Sequence, residues 1–444
     1  MSTRRRVVIT GMGWVTPLGT DVSGVWARLV RGENAFGPIT RFDASTFATN
    51  FAAEVRGFNF KAHVPDPGKH THAGLSTRFA LAAARQAWSQ AGLDAHSSLD
   101  RRRLGMYFGA GEGSLDFPNF TRSNLAGFDL ATRTLNDRAW ATEARQRLSA
   151  PLEIEQEPNS TLTHLAREFG VRGPAYNCMT ACAASTQAVG EAYELIKRGD
   201  ADTMLAGGTH SMIHPLGITG FIRLTAMSTN REDPARASRP FDKDRDGFVM
   251  GEGAGVLVLE ELGHALARGA TPLVEVAGFG SSADAFRITD IHPDGKGAVA
   301  AMLQACRMAE INPREPGKDG RPQVHYVSAH GTGTQENDRI ETIAVKTLFG
   351  SLAPRVPFSS VKSMMGHLIQ AAGAVELMTC VQAIRTGVLP PTMNLRNPDP
   401  ECDLDYVPNA ARDCKPQGGV RVCLSNSFGF GGQNNTICVR AFTG

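Results

Sequence analysis

The chain has 444 residues, of which 42% are hydrophobic and 20% charged, and this composition is typical of a globular enzyme. A formal net charge of +2 excludes the strong overall field of nucleic-acid- or membrane-binding proteins, so we expect neither partner. No apolar stretch approaches the roughly 18 residues that a membrane span needs.

Eight cysteines are scattered along the chain without a Cys-x-x-Cys pair, which favours a reduced compartment over a disulfide framework. The apolar run that follows three arginines near the start is interrupted by Gly11, Gly13 and Pro17. No small-residue cleavage site closes this run, so we predict no secretory signal. These features together predict a cytoplasmic protein.

Short apolar runs alternate with helical patterns along the first part of the chain. The predicted elements are a buried strand at residues 6–10 that enters a glycine turn, a helix at 74–92 that begins near Ser76 or Thr77, and strands at 106–109, 204–208 and 255–260. Residues 115–158 are aromatic and polar and predict a helical excursion over a pocket. The alternation of strands and helices predicts a mostly parallel α/β sheet.

The second part of the chain repeats features of the first. Residues 274–280 resemble residues 7–13, and residues 356–387 resemble the segment around Cys182, with a strand leading to a small-residue helix. We interpret this as an internal duplication, with halves at 1–265 and 266–444 and a reactive side chain at a helix start in each. Coincidence of common strand–helix patterns is the alternative.

A cysteine at a strand-to-helix turn and two glycine-flanked histidines predict an acyl-transfer site. Cys182 lies at a strand-to-helix turn, where the helix start favours negative charge and predicts a lowered thiol pKa. His330 and His367 each lie in a glycine-containing motif, and a histidine can orient or donate to a carbonyl that gains charge. The alternative is a buried small hydrophobe beside two structural histidines.

Other motifs predict no metal and no dinucleotide. Residues 242–252 imitate a calcium loop, but the acid required at its twelfth position is replaced by Gly253. The acids there are expected to fix a turn through local hydrogen bonds. The glycines at 109–113 and 429–432 do not match a dinucleotide fingerprint, and no histidine pair has zinc-site spacing.

An ordered set of motifs resembles the β-ketoacyl-[acyl-carrier-protein] synthase family, of the type II, chain-elongating kind. The motifs are Thr180-Ala-Cys-Ala-Ala-Ser, Ser238-Arg-Pro-Phe-Asp, Arg245-Asp-Gly-Phe-Val-Met-Gly-Glu, His330-Gly-Thr-Gly-Thr, Lys362-Ser-Met-Met-Gly-His and Asn426-Ser-Phe-Gly-Phe-Gly-Gly. The resemblance implies a thiolase-like duplicated fold in αβαβα layers and a homodimer. It implies decarboxylative Claisen condensation of an acyl thioester with malonyl-acyl-carrier protein in fatty acid elongation, with no cofactor beyond the carrier's 4′-phosphopantetheine.

The same resemblance implies a role for each site residue. Cys182 takes the acyl group, and His330 and His367 stabilise the enolate. Lys362 supports the histidines, with Glu376 behind it. The backbone amides of Cys182 and Phe430 form the oxyanion hole, and Phe428 and Phe430 line the gate. Thr332 and Thr334 contact the pantetheine arm.

Two positions depart from the family pattern. Glu112 aligns with the gate of the acyl pocket, where an aliphatic or small residue is usual, and Gln433 replaces a common threonine. These changes leave chain-length preference open. A ketosynthase of a polyketide or polyene pathway is one alternative, and a non-catalytic chain-length-factor partner is another, although that class lacks the nucleophile that Cys182 supplies here.

Overall fold

The computed structural model describes residues 5–96, 99–111, 115–288 and 291–444. Its strands are β1 Val7–Val15, β2 Gly37–Pro38, β3 Phe51–Ala52, β4 Leu104–Gly109, β5 Phe128–Asp129, β6 Thr134–Leu135, β7 Ala175–Cys178, β8 Thr203–His210, β9 Gly253–Glu261, β10 Val274–Ala283, β11 Tyr326–Ser328, β12 Phe358–Ser359, β13 Val388–Leu389, β14 Arg412–Asp413, β15 Val422–Gly429 and β16 Gln433–Arg440. Its α-helices are α1 Val22–Val30, α2 Leu75–Gln90, α3 Phe117–Gly127, α4 Asp137–Arg147, α5 Ala150–Ile154, α6 Ser160–Phe169, α7 Ala184–Arg198, α8 Pro215–Arg223, α9 Leu262–Ala267, α10 Lys296–Met308, α11 Gln335–Phe349, α12 Lys362–Met365 and α13 Ala372–Thr386.

Ten strands are hydrogen-bonded in the order β12-β11-β15-β16-β10-β1-β9-β8-β4-β7. The middle of this order is a short antiparallel ladder, in which residues 7–9 of β1 face residues 274–276 of β10. Five strands lie on each side of this ladder, and the two sets follow the same pattern. In each set the three strands nearest the ladder pair antiparallel with one another, and the two outer strands are added in parallel. The prediction of a mostly parallel sheet is therefore wrong, because β1, β8 and β9 and their counterparts β10, β15 and β16 alternate in direction.

Two helices fill the space between the halves. Helices α7 and α13 pack against each other, and each contacts strands of both five-stranded sets. Helix α2 covers the outer face of one set and α10 the outer face of the other. Residues 372–383 of α13 are all buried, as expected of a helix packed on every side. This arrangement confirms the duplicated αβαβα fold.

The two central helices start and end alike. Each follows a short 3₁₀ turn, Ala181–Ala183 before α7 and Ile369–Ala371 before α13. The first residue of each turn has a positive φ, +46° at Ala181 and +41° at Ile369. Both helices contain 15 residues and end at a left-handed glycine. The match pairs Cys182 with Gln370, so the prediction of a reactive residue at the second helix start is wrong; His367 lies just before that turn.

Strand β1 is longer than predicted. It does not stop at a glycine turn after residue 10 but continues to Val15. A Cβ atom at Gly11 would overlap the carbonyl oxygen of Ala87, and one at Gly13 would overlap that of Ala83. Both carbonyls belong to α2, so the glycines allow the helix to approach the strand closely.

The segment 115–158 contains the predicted helices and, between α3 and α4, a hairpin of β5 and β6 that the sequence did not predict. The boundary placed between residues 265 and 266 falls inside α9 and remains a proposal. Among the described residues, every helix is too short or too polar to span a lipid bilayer.

The strand–helix contact gives a first prediction. Gly13→Ala should destabilise the protein by about 1–3 kcal/mol, because the added methyl must displace backbone of α2. Gly220→Ala, in α8, is the matched control: a Cβ there meets nothing within 4 Å, and alanine favours helix. Thermal unfolding measures both. Equal melting temperatures for the two variants would contradict the close-packing argument.

Candidate functional site

Cys182 sits in the sharp turn between β7 and α7. Its neighbour Ala181 adopts a left-handed conformation, which reverses the chain at the end of the strand and directs Cys182 into the protein, where its side chain is buried. The backbone N–H groups of Cys182 and Phe430 lie beside the sulfur and lower its pKa. The sequence resemblance named these two amides as the oxyanion hole, and the structure brings them together.

Burial raises the pKa of the Cys182 thiol to about 12, while Lys362 and the two amides act in the opposite direction. The predicted lowering of this pKa is therefore wrong, because desolvation outweighs the charge of the helix start. Burial raises the pKa of Cys178 to about 12 as well. Both thiols are therefore neutral at rest.

His367 faces that thiol as a hydrogen-bond donor. Its Nε2 lies 3.0 Å from the sulfur of Cys182, and its Nδ1 accepts the N–H of Ile369 at 3.2 Å. Since Nδ1 uses its lone pair, a neutral ring carries its proton on Nε2. Burial, and then the charge of Lys362, lower the pKa of His367 well below its ordinary value, so the ring is neutral.

His330, in the loop after β11, is held in the same tautomer. The Nζ atom of Lys362 lies 3.5 Å from Nδ1 of His330 and donates to its carbonyl oxygen at 2.6 Å. An ammonium group only donates, so Nδ1 accepts and the ring proton is on Nε2. Burial and Lys362 lower the pKa of His330 well below its ordinary value. The two rings are 5.5 Å apart and nearly perpendicular.

Lys362 is itself buried and pairs with Glu376 on α13. Burial raises the pKa of Glu376 to about 7, and Lys362 opposes this rise. A buried charge needs a partner, and this pair keeps an ammonium group against His330. The sequence resemblance placed both residues behind the histidines, where the structure has them.

Glu341 on α11 was missed by the sequence analysis. Its two carboxyl oxygens accept the backbone N–H groups of His330 at 2.9 Å and Gly331 at 2.8 Å, and Asn426 donates to it at 3.2 Å. Glu341 therefore fixes the loop that carries His330. The signal was present in the sequence: Glu341 falls on the same helix face as the apolar Ala344, Val345 and Leu348.

A cavity of about 430 Å³ opens onto the three reactive side chains. It is lined by the residues Cys182, Leu224, Thr225, Ala226, Asp246, Gly247, Phe248, Ile291, His330, Thr332, Thr334, Gln335, Glu336, Asn337, His367 and Phe430. The hydroxyls of Thr332 and Thr334 lie 3.0 Å apart. Phe428 is buried behind His330, 5.9 Å from its ring, whereas Phe430 faces the cavity.

The segment 115–158 and Glu112 were both expected at this pocket. No residue of 115–158 lines it, so the predicted cover of the pocket by that segment is wrong for this cavity. Glu112 lies outside the described residues. A larger cleft of about 790 Å³, lined by Arg6, Glu275, His325 and others, contains none of the reactive trio, so the smaller cavity is the candidate site.

The trio has the spacing of a metal site but not its protonation. The sulfur of Cys182 and one nitrogen of each imidazole lie within 4.8 Å of one another. A metal at Nε2 of His367 needs the ring's lone pair there, but that lone pair is on Nδ1, where it accepts the N–H of Ile369. A neutral imidazole has one lone pair, so this hydrogen bond opposes metal binding and favours donation.

Comparison with known proteins places this geometry among condensing enzymes. Residues 4–265 match the family model "Beta-ketoacyl synthase, N-terminal domain", and residues 273–396 match the corresponding C-terminal domain. A 3-oxoacyl-[acyl-carrier-protein] synthase 2 from Coxiella burnetii is 41% identical over 98% of both chains. One from Synechocystis is 40% identical over 99% of both.

Solved structures agree with these sequence relatives. A β-ketoacyl synthase from Burkholderia phymatum superposes with a TM-score of 0.85 at 33% identity, over 99% of this chain and 100% of that one. The ketosynthase/chain length factor of ishigamide reaches 0.84 at 33%, with the same coverage. A type II polyketide ketosynthase, solved with its acyl-carrier protein, reaches 0.84 at 31%, again over 99% and 100%.

Glu341 gives a prediction about pH. Burial raises its pKa to about 7, so between about pH 5 and 7 the folded protein holds a proton that the unfolded chain has lost. This lowers the free energy of unfolding as pH rises through that window. Glu341→Gln removes the titration, so its stability should fall less steeply than that of the parent from pH 5 to 7 in denaturant titrations.

Glu33→Gln is the control for that measurement. Hydrogen bonds from Arg31 and Arg28 lower the pKa of Glu33, so its titration lies below the window. Its slope between pH 5 and 7 should match the parent's. A Glu341→Gln slope equal to that of the parent would show that Glu341 is ionised throughout.

Proposed function

This chain belongs to the β-ketoacyl synthase family, and we propose that it is a type II 3-oxoacyl-[acyl-carrier-protein] synthase of fatty acid elongation. It joins an acyl thioester to malonyl-acyl-carrier protein by decarboxylative Claisen condensation. The observation that carries this proposal is the pair of buried imidazoles, both held as Nε2–H donors beside a buried thiol. That arrangement suits a reaction that must stabilise an enolate without protonating its carbon.

The first half-reaction transfers the acyl group to Cys182. The sulfur attacks the thioester carbonyl and forms a new C–S bond, while the carrier's pantetheine sulfur leaves and takes up a proton as the Cys182 thiol loses one. The tetrahedral oxyanion is bound by the amides of Cys182 and Phe430, which already converge on the sulfur. A covalent intermediate divides a difficult condensation into two easier steps.

The second half-reaction uses the two histidines. The bond between the malonyl carboxylate and its neighbouring carbon breaks, carbon dioxide leaves, and the electron pair becomes an enolate. The Nε2–H groups of His330 and His367 donate to the enolate oxygen. The enolate carbon then attacks the acyl group on Cys182, the new C–C bond forms, and the Cys182 thiolate leaves and is reprotonated.

The carrier's 4′-phosphopantetheine arm is the only prosthetic group in this scheme, and it arrives with the substrate. The hydroxyls of Thr332 and Thr334 lie along the cavity and suit the amides of such an arm. Among Lys61, Lys69, Arg78 and Arg223, the basic candidates for docking acidic acyl carrier protein, Arg223 is exposed and directly precedes the cavity-lining Leu224. Arg223 is therefore our first choice for that contact.

We propose that the protein is a cytoplasmic homodimer. All eight cysteines are free, which suits a reducing compartment. Strand β7 lies at the end of the sheet, and Tyr176 and Met179 are 51% and 61% exposed there. An unpaired edge with exposed apolar side chains favours pairing with a second copy.

The dimer has a direct test. Tyr176→Asp places a charge at the centre of the proposed interface and should yield monomers by light scattering after size exclusion. Leu266→Asp, at an exposed leucine of α9, should leave the dimer intact. A Tyr176→Asp dimer of undiminished stability would place the interface elsewhere.

A second candidate function is that of a ketosynthase in a polyketide or polyene pathway. The type II polyketide ketosynthase and the ishigamide ketosynthase/chain length factor, both with TM-scores of 0.84, support it. The chemistry at Cys182 would be the same, and the acyl substrate would differ. A non-catalytic chain-length-factor role is disfavoured by the intact thiol and histidines.

The half-reactions test the assigned roles. Cys182→Ala should lose acyl transfer but keep malonyl decarboxylation, because both histidines remain. His330→Ala and His367→Ala should each reduce carbon dioxide release by roughly 10²-fold, the effect of removing one oxyanion-type donor. Intact mass measures acylation, and labelled malonyl-acyl-carrier protein measures decarboxylation.

His72→Ala, at an exposed histidine, is the control and should leave both half-reactions unchanged. Carbon dioxide release at the parent rate in both site-histidine variants would overturn their roles. Acylation of the Cys182→Ala protein at another cysteine, with condensation retained, would overturn the nucleophile.

A further inference from the structure

Gln370 occupies the position in the second half that Cys182 occupies in the first. Each is the middle residue of a 3₁₀ turn whose first residue has a positive φ, and each precedes a central helix by two residues. The two turns contact each other. A β-branched residue such as Ile369 rarely adopts this conformation, so the fold maintains the second turn at a cost.

The side chain of Gln370 is buried and ties three elements together. Its Oε1 accepts the N–H of Gly111 at 2.8 Å, and its carboxamide lies beside the buried imidazole of His210 at the end of β8. Its amide nitrogen occupies the space beside Gly111, where a Cβ atom would overlap it. Gly111 follows β4, so the carboxamide connects the ends of β4 and β8 to the start of α13.

This polar tie adjoins the apolar surroundings of Cys182. Cys182 belongs to an apolar cluster of buried residues that also includes Ile213, Ile218, Met227, Phe248, Met250 and Ile369. An acyl chain on Cys182 would gain by entering this cluster, because methylenes gain from apolar burial. Ile369 belongs to the cluster, and its neighbour Gln370 holds Gly111. A growing methylene chain therefore reaches buried amide and imidazole groups, which are costly to desolvate.

We propose that Gln370 is a specificity-determining residue that limits the acyl chain by holding the Gly111 segment against the cluster through its carboxamide. The proposal rests on the condensing function stated above. It assigns to this chain a preference for short acyl thioesters over long ones. Both the hydrogen bond to Gly111 and the volume of the side chain contribute to the limit.

The test measures acylation of Cys182, which needs no malonyl substrate. Butanoyl- and tetradecanoyl-acyl-carrier proteins compete for the full-length protein, and intact mass gives the ratio of the two acyl-enzymes. We expect Gln370→Ala to raise the tetradecanoyl-to-butanoyl ratio by about tenfold or more, a differential transition-state effect. Gln370→Leu, which keeps the volume but cannot accept the Gly111 N–H, should raise it by a smaller factor.

Gln382→Ala, at a buried glutamine within α13, is the matched control and should leave the ratio at the parent value. Circular dichroism and retained acylation by the butanoyl carrier show that each variant is folded. A ratio within twofold of the parent in both Gln370 variants would overturn the proposal. Failure of the parent protein to accept either acyl group would instead overturn the condensing function, so the two failures are distinguishable.

Discussion

The buried ammonium group of Lys362 is the interaction on which the site depends. It holds the carbonyl and Nδ1 of His330, it lowers the pKa of both site histidines, and it is kept in the interior by Glu376. A positive charge at this depth ensures that the imidazoles stay neutral and present N–H groups rather than accept protons. Enolate chemistry requires that state, because an imidazolium would protonate the carbon nucleophile. Burial of the two rings and the nearby charge of Lys362 together keep both imidazoles of the site neutral.

Duplication explains how three reactive groups from distant parts of the chain meet. The strand-to-helix turns of the two halves lie back to back because α7 and α13 cross at small residues; a Cβ atom at Gly373 would overlap the hydroxyl of Thr186. The first turn carries Cys182, and the segment leading to the second carries Lys362 and His367. His330 comes from the preceding loop of the second half. At the matching position of its turn, the second half has Gln370 in place of a reactive residue, and Gln370 binds Gly111 of the first half.

The order of the motifs predicted the positions of the site residues and the layers of the fold. It did not predict pKa values, buried hydrogen-bond partners or strand directions. The positions of Cys182, His330, His367 and Lys362 and the duplicated layers could be read from the sequence, because glycines and small residues mark each turn. The thiol pKa could not, since the amount of water removed from Cys182 is set by residues from several separate segments. The helix face of Glu341 could have shown that it is buried, but not that it binds the backbone N–H groups of His330 and Gly331, which have no sequence signature. Strand directions were also mistaken, because buried parallel and antiparallel strands share the same apolar runs.

The strand order has a consequence for how the chain is made. Strand β1 is the first regular element described, yet its neighbours in the sheet are β9 and β10, at residues 253–261 and 274–283. At about 5–20 residues per second, a ribosome needs roughly 12 to 50 seconds to deliver β9 after β1 has emerged. Throughout that interval the apolar Val7, Val8 and Ile9 have no ladder to join. A nascent chain of this kind exposes an unpaired sheet-forming segment during most of its synthesis, and such an exposed apolar segment favours aggregation until its neighbours arrive.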